Sequence, residues 1–155
     1  VRPTCAGSPT RSATAWSSRS AKPRCASGPT GVTGLSSIHG LRASAYKSAY
    51  VSAEHGLLGL SKVLALEGAA HGVSSNCVCP GYVRTPLVEN QLADQAAVHG
   101  LSTEAVLSEV LLARSAVKRL IEPGEVAGAV AYLCSPEADS VSGTELVLDG
   151  GWSAS

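Results

Sequence analysis

The stretch S-S-I-H-G-L-R-A-S-A-Y-K-S-A-Y-V-S-A-E, Ser36 to Glu54, decides how the rest of the chain is read. Ser37 and Tyr50 stand thirteen positions apart in it. Tyr50 falls inside a helical pattern from Ser44 to Ala70, with Ala45, Ala49, Ala53, Leu57, Leu60 and Leu64 on or near one stripe. Gly72, after His71, supplies a C-terminal stop. Val73–Cys79 reads as a short buried strand ended by Pro80-Gly81, and Pro86 opens a helix at its first turn. Ser102 is the N-cap of a further helix running to about Ser115, with Glu104 in its first turn. Pro123–Cys134 is another helix, with Glu122 and Glu125 at its start, and Thr144–Leu148 alternates as a strand that turns at Asp149-Gly150-Gly151. Strands alternating with helices predict an α/β fold around a parallel sheet.

Upstream of this segment the sequence changes character. The 155 residues carry zero formal charge and are 45% hydrophobic, which suits one domain, but the apolar residues are unevenly spread. Residues 1–34 contain no Leu, Ile or Phe, and hold Arg2, Arg11, Arg19, Lys22 and Arg24 without an acid. They follow neither a 3.6 nor a 2 period, so too little apolar surface is buried to offset ordering entropy, and disorder is expected. A basic arm for nucleic acid and a transit peptide are two functional readings. The reading adopted is a non-native or misread segment, since a GC-rich coding region read out of frame has this composition. No nucleic-acid or membrane partner is expected. No apolar run is long enough to cross a bilayer. Cys5, Cys25, Cys77, Cys79 and Cys134 are odd in number and lack zinc spacing, so they read as reduced thiols of a cytoplasmic protein, with no metal site.

The Ser37–Tyr50 spacing, the S-A-Y motif and P-G-Y-V-R-T after the strand end together resemble the short-chain dehydrogenase/reductase family. The resemblance covers about residues 35 to 155. It implies the C-terminal part of a Rossmann-like, doubly wound parallel sheet, with the N-terminal half of that fold, including its dinucleotide fingerprint, absent. It also implies an oxidoreductase in which Tyr50 is the general acid/base and Ser37 orients the reacting oxygen. Pro80, Gly81, Val83 and Thr85 would contact the cofactor, which the resemblance alone makes NAD. Thr30-Gly31-Val32-Thr33-Gly34 echoes the family's glycine-rich loop but has the wrong spacing and no following helix. It lies where the family places a strand, and it is read as a chance echo.

Finer matches, including the ending L-D-G-G-W, resemble family members that interconvert D-3-hydroxybutyrate and acetoacetate. By that resemblance His39, Lys47 and Gln91 hold the carboxylate of a small hydroxy or keto acid, and Tyr82 and Trp152 wall the pocket. A small anion needs a cation and hydrogen-bond donors in a tight site, and Lys47 lies about one turn from Tyr50. A 3-oxoacyl reductase is the alternative within the family, and a non-catalytic fragment or partner subunit the alternative outside it. Family members are homotetramers.

Glu54 departs from the pattern, because the family has a lysine there. A free tyrosine is a poor base near neutral pH, and a nearby cation favours its phenolate. At about 5 Å and an effective dielectric of about 20, one unit charge is worth roughly 3 kcal/mol, so a carboxylate in place of an ammonium opposes the phenolate. Severe loss of activity is expected. With half of the family's fold absent, the helix stripe is expected to be exposed, the strand Val73–Cys79 to lack some neighbours, and the chain alone to be unstable or aggregation-prone.

Overall fold

A computed structural model describes residues 30–154. Its strands are β1 (Thr30–Leu35), β2 (Val73–Pro80) and β3 (Glu145–Leu148), joined by helices α1 (Ser48–Gly68), α2 (Pro86–His99), α3 (Thr103–Ala105) and α4 (Pro123–Leu133). The sheet order is β1-β2-β3 and every pairing is parallel, with Cys77 opposite Gly34 on one side and Glu145 on the other. The α/β architecture therefore agrees with the alternation of patterns in the sequence.

β1 revises the expectation of disorder at the end of the 1–34 segment, where residues 30–34 are part of a strand. Thr30, Val32 and Thr33 are β-branched residues suited to a pleated strand, and all six residues of β1 pair in register with β2. The glycines between them serve packing: a Cβ on Gly34 would lie 3.0 Å from Cys77 Sγ, and one on Gly31 would lie 3.3 Å from Ser74 Oγ. The T-G-V-T-G echo is thus a strand. The rest of the segment expected to be disordered, residues 1–29, lies outside the described residues.

β2 also departs from expectation, since it is the central strand and is paired on both sides. Among the described residues β1 and β3 are the edge strands, and on β1 Val32 and Leu35 are exposed. Cys77, Val78 and Cys79 are fully buried, and Cys77 and Cys79 pack with Leu57 and Leu58 of α1 and Val147 of β3. Each fully buried aliphatic side chain contributes about 1.5–3 kcal/mol. Burial pushes the Cys79 thiol up to about 12, so it is an inert core group. Asn76, buried in the same strand, donates from Nδ2 to the Val141 carbonyl (2.9 Å) and accepts at Oδ1 from Thr144 N–H (3.2 Å), tying β2 to the loop before β3.

Two helices differ from their sequence outlines. α1 begins at Ser48, because Tyr46 takes φ 64°, a left-handed conformation that a helix cannot include. It ends in a tight turn, Ala69–His71, stopped by Gly72 at φ 71°. Ser102 does cap its helix, accepting from Ala105 N–H at 3.2 Å. After Ala105, however, the coil widens into a π turn, Val106–Leu111, closed by Leu112 N–H to the Leu107 carbonyl at 2.9 Å. That widening seats Val106, Leu111 and Leu112 with Leu92 and Leu120 in a second core. Among the described residues, no helix is long and apolar enough to cross a membrane.

Candidate active site

The candidate residues converge just beyond the carboxyl ends of β1 and β2, where parallel sheets of this kind bind ligands. Ser36 N–H continues the ladder to the Val78 carbonyl (2.9 Å), after which the chain folds into the single turn Ile38–Gly40. Ser37 caps that turn, its hydroxyl accepting from His39 N–H at 3.2 Å. The turn lies hard against α1. A Cβ on Gly40 would fall 2.9 Å from Leu58 Cδ1, 3.0 Å from Ser36 Oγ and 3.1 Å from the Glu54 carbonyl, so a side chain there would force the two apart.

His39 is the hub. Its ring meets those of Tyr50 and Trp152 edge to face, with centroids 5.8 and 5.9 Å away. Lys47 Nζ is 3.3 Å from Nε2, and Nδ1 faces the Arg42 carbonyl at 3.3 Å and the Ser44 hydroxyl at 3.4 Å. Burial, with the Lys47 cation, holds the imidazole below its ordinary pKa, although the Arg42 carbonyl and Glu54 act in the other direction. Ser37, His39, Lys47, Tyr50 and Trp152 are therefore one cluster. The Tyr50 side of it is open to solvent, since Tyr50 is 47% exposed and His39 only 7%.

Glu54 lies one turn beyond Tyr50 on α1 and points toward β1. Its carboxylate accepts from the Ser36 hydroxyl at 2.7 Å. The position of the family's cation thus holds an anion with a hydrogen-bond partner of its own. Ser36 was not singled out from the sequence, and neither was its bond to Glu54.

Trp152 is held from two sides. Asp149 accepts from Gly151 N–H (2.9 Å) and Ser153 N–H (2.7 Å), bracketing the turn Trp152–Ala154. Burial raises the Asp149 carboxyl, but the hydrogen bonds from Ser153 and the backbone hold it below the ordinary carboxylate range. Arg114, just after the π turn, places its guanidinium 4.2 Å over the Trp152 ring. Sequence reading missed Arg114, and a sequence pattern gives no sign of a π turn.

The cofactor-side residues sit on the segment leaving β2. Gly81 N–H donates to the Leu148 carbonyl at 2.8 Å, and a Cβ on Gly81 would lie 3.2 Å from Asp149 Cα. Val83 bridges to Ile121 in parallel fashion. Ile121 N–H donates to Tyr82 O (2.9 Å), and Arg84 N–H donates to Ile121 O (2.8 Å). In that geometry the N–H and C=O of Val83 itself point to the opposite side, one donor and one acceptor side by side. Thr85 uses its hydroxyl as the N-cap of α2, accepting from Val88 N–H at 3.4 Å. Tyr82 packs on the core formed by Leu92, Val106, Leu111, Leu112 and Leu120, and burial pushes its phenol up. Gln91 lies on the exposed side of α2. The contacts thus bring Ser37, His39, Lys47, Tyr50 and Trp152 together, while Tyr82, Thr85 and Gln91 are not tied into that cluster. A nicotinamide carboxamide, which has one donor and one acceptor edge, fits the backbone at Val83. The cation that the family places at position 54 is not there to meet a cofactor ribose.

A family model described as enoyl-(acyl carrier protein) reductase matches residues 10–153. The chain is 47% identical over 123 residues to D-beta-hydroxybutyrate dehydrogenase of Rhizobium meliloti (strain 1021), covering 79% of this chain and 48% of that protein. It is 42% identical over 123 residues to the enzyme of the same name from Cupriavidus necator, with the same shares of each chain covered. Among solved structures it resembles actinorhodin polyketide ketoreductase crystallised with NADPH, at a TM-score of 0.70 and 33% identity, covering 79% of this chain and 46% of that one. The chain spans about half the length of the curated relatives it matches. Matched over nearly its whole length and built on the same parallel sheet, it belongs to the short-chain dehydrogenase/reductase family of oxidoreductases.

Proposed function

We propose that the site serves the interconversion of D-3-hydroxybutyrate and acetoacetate with NAD, and that Glu54 impairs it. One observation carries the substrate class: Lys47 Nζ stands 3.3 Å from His39 in a cluster that also holds Tyr50. A cation beside the candidate acid/base suits a substrate with a carboxylate a few bonds from the reacting hydroxyl. Tyr50 takes the hydroxyl proton on oxidation and returns it on reduction. Ser37 holds the substrate oxygen in line with it. His39 and Lys47 hold the carboxylate, Gln91 of α2 is the third residue assigned to it, and Trp152 excludes water. Pro80, Gly81, Val83 and Thr85 line the cofactor side, where a bound nicotinamide would exchange the hydride. A 3-oxoacyl reductase reading is weaker, because a thioester has no carboxylate for Lys47. The free thiols among the described residues suit a cytoplasmic setting, and exposed Leu60, Val63 and Leu66 on α1 suit assembly into a homotetramer.

Turnover of D-3-hydroxybutyrate with NAD and with NADP tests the reading. In the Glu54→Lys background, NAD-linked oxidation that Tyr50→Phe lowers about a thousandfold is expected. Oxidation unaffected by that change would refute the role of Tyr50. A second reading, a non-catalytic member that assembles with a full-length relative, is favoured by the Ser36–Glu54 hydrogen bond. No turnover together with co-purification of such a relative would select it.

A further inference from the structure

Trp152 and its turn are held by two arginines from segments far apart in the chain. Arg42 donates from Nη2 to the Ser153 carbonyl at 3.2 Å, within the turn Trp152–Ala154. Arg114 lays its guanidinium over the Trp152 ring, 4.2 Å from the centroid. A cation at that distance over an indole face is attracted by the ring's quadrupole. The backbone that carries Arg114 is itself fixed. Just past the π turn, Lys118 donates from Nζ to the carbonyls of Leu112 (2.7 Å) and Ala113 (2.9 Å). Val117 N–H donates to the Gly150 carbonyl at 2.9 Å. A Cβ on Gly150 would lie 3.2 Å from that of Val117, and one on Gly151 would lie 3.1 Å from that of Ala116. The segment after the π turn is therefore docked on the glycine turn that presents Trp152, and Arg114 reaches across to the ring.

We infer that Arg114 is a positioning residue that seats Trp152 in the pocket wall, and that this seating selects short hydroxy and keto acids over longer ones. The inference rests on the small-acid reading above and adds to it a residue that acts through Trp152 rather than on the substrate. Trp152 is only 8% exposed, and its ring meets that of His39 with centroids 5.9 Å apart, so it stands beside the cluster where the acid would lie. A large flat ring that is held fixed closes the end of a pocket, whereas one free to swing lets a longer tail pass. The same segment joins the wall to α2. Val106, Leu111 and Leu112 of the π turn and its end share a core with Leu92, the neighbour of Gln91. Arg114 thus ties the tryptophan to the unit that bears another of the candidate carboxylate residues.

The test uses the whole chain carrying Trp16→Phe, which leaves Trp152 as its one tryptophan. In the free protein, Arg114→Ala should raise acrylamide quenching of Trp152 about twofold or more. Acetoacetate and 3-oxohexanoate are then titrated with NAD present and no NADH, so that neither is turned over, and followed by Trp152 emission. In Arg114→Ala the affinity for acetoacetate should fall about threefold to tenfold, as expected for loss of a cation–π contact. The affinity for 3-oxohexanoate should fall less or rise, so that the preference for the short acid narrows. Arg114→Lys, which keeps a cation over the ring, should restore most of the protection from quenching and most of the preference. Unchanged quenching in Arg114→Ala, or a lysine variant no better than alanine, would overturn the proposal. So would both acids weakened by one common factor, which is what direct attraction between Arg114 and the carboxylate would give. If neither acid binds to any form, the small-acid reading fails, and the quenching series decides the seating of Trp152 alone.

Discussion

At the scale of single residues, the candidate reactive groups are close neighbours along the chain. Ser37, His39, Lys47 and Tyr50 lie within fourteen consecutive residues, so one turn and the start of one helix bring them together. The hydrogen bond from Ser36 to Glu54 and the stacking of Arg114 on Trp152 depend on how distant segments pack, which no local pattern encodes. His39 also makes folding pH-sensitive. Its folded pKa lies below the ordinary value of about 6.5, so the unfolded chain takes up the proton first as the pH falls. The stabilisation is complete above about 6.5 and is lost on acidification toward the lower folded value. Urea titrations at several pH values should show stability dropping below about pH 6.5, with a shallower drop in His39→Gln. A second expectation concerns Lys47→Ala, which should raise KM for D-3-hydroxybutyrate roughly tenfold or more while changing kcat less. A change confined to kcat would place Lys47 outside substrate binding.

At the scale of elements, helices and strands rich in periodic apolar residues were readable, and the misses have physical causes. β1 was passed over because T-G-V-T-G is short and glycine-rich, and its order comes from pairing with β2 rather than from its own propensity. The π turn after Ala105 was invisible because an apolar run such as Val106–Leu112 fits a helix of either winding. The ending L-D-G-G-W, by contrast, demands its glycines. Gly151 adopts φ 83°, and a Cβ there would sit 3.1 Å from that of Ala116. Gly151→Ala should therefore lower stability by about 1–3 kcal/mol and displace Trp152, which thermal melting and tryptophan emission would both register. Unchanged melting and emission would mean that the turn does not fix the tryptophan.

At the scale of the molecule, the described residues form a three-stranded sheet with α1 on one face and apolar side chains left in solvent. Val32 and Leu35 are exposed on β1, and Leu60, Val63 and Leu66 on α1. An open strand edge beside apolar surface favours association, so the isolated chain should self-associate at micromolar concentration in sedimentation runs. A monomer with a sharp, reversible thermal transition would argue against this. The central claim is that residues 36 to 54 form the acid/base site of a dehydrogenase with the charge at position 54 reversed. The most direct test is a charge series at that position, comparing NAD-linked oxidation of D-3-hydroxybutyrate by the chain, Glu54→Gln and Glu54→Lys. Each unit of positive charge should raise the rate, by up to about a hundredfold per step at roughly 3 kcal/mol per charge. Rates that do not change across the series, or that fall toward lysine, would contradict the account.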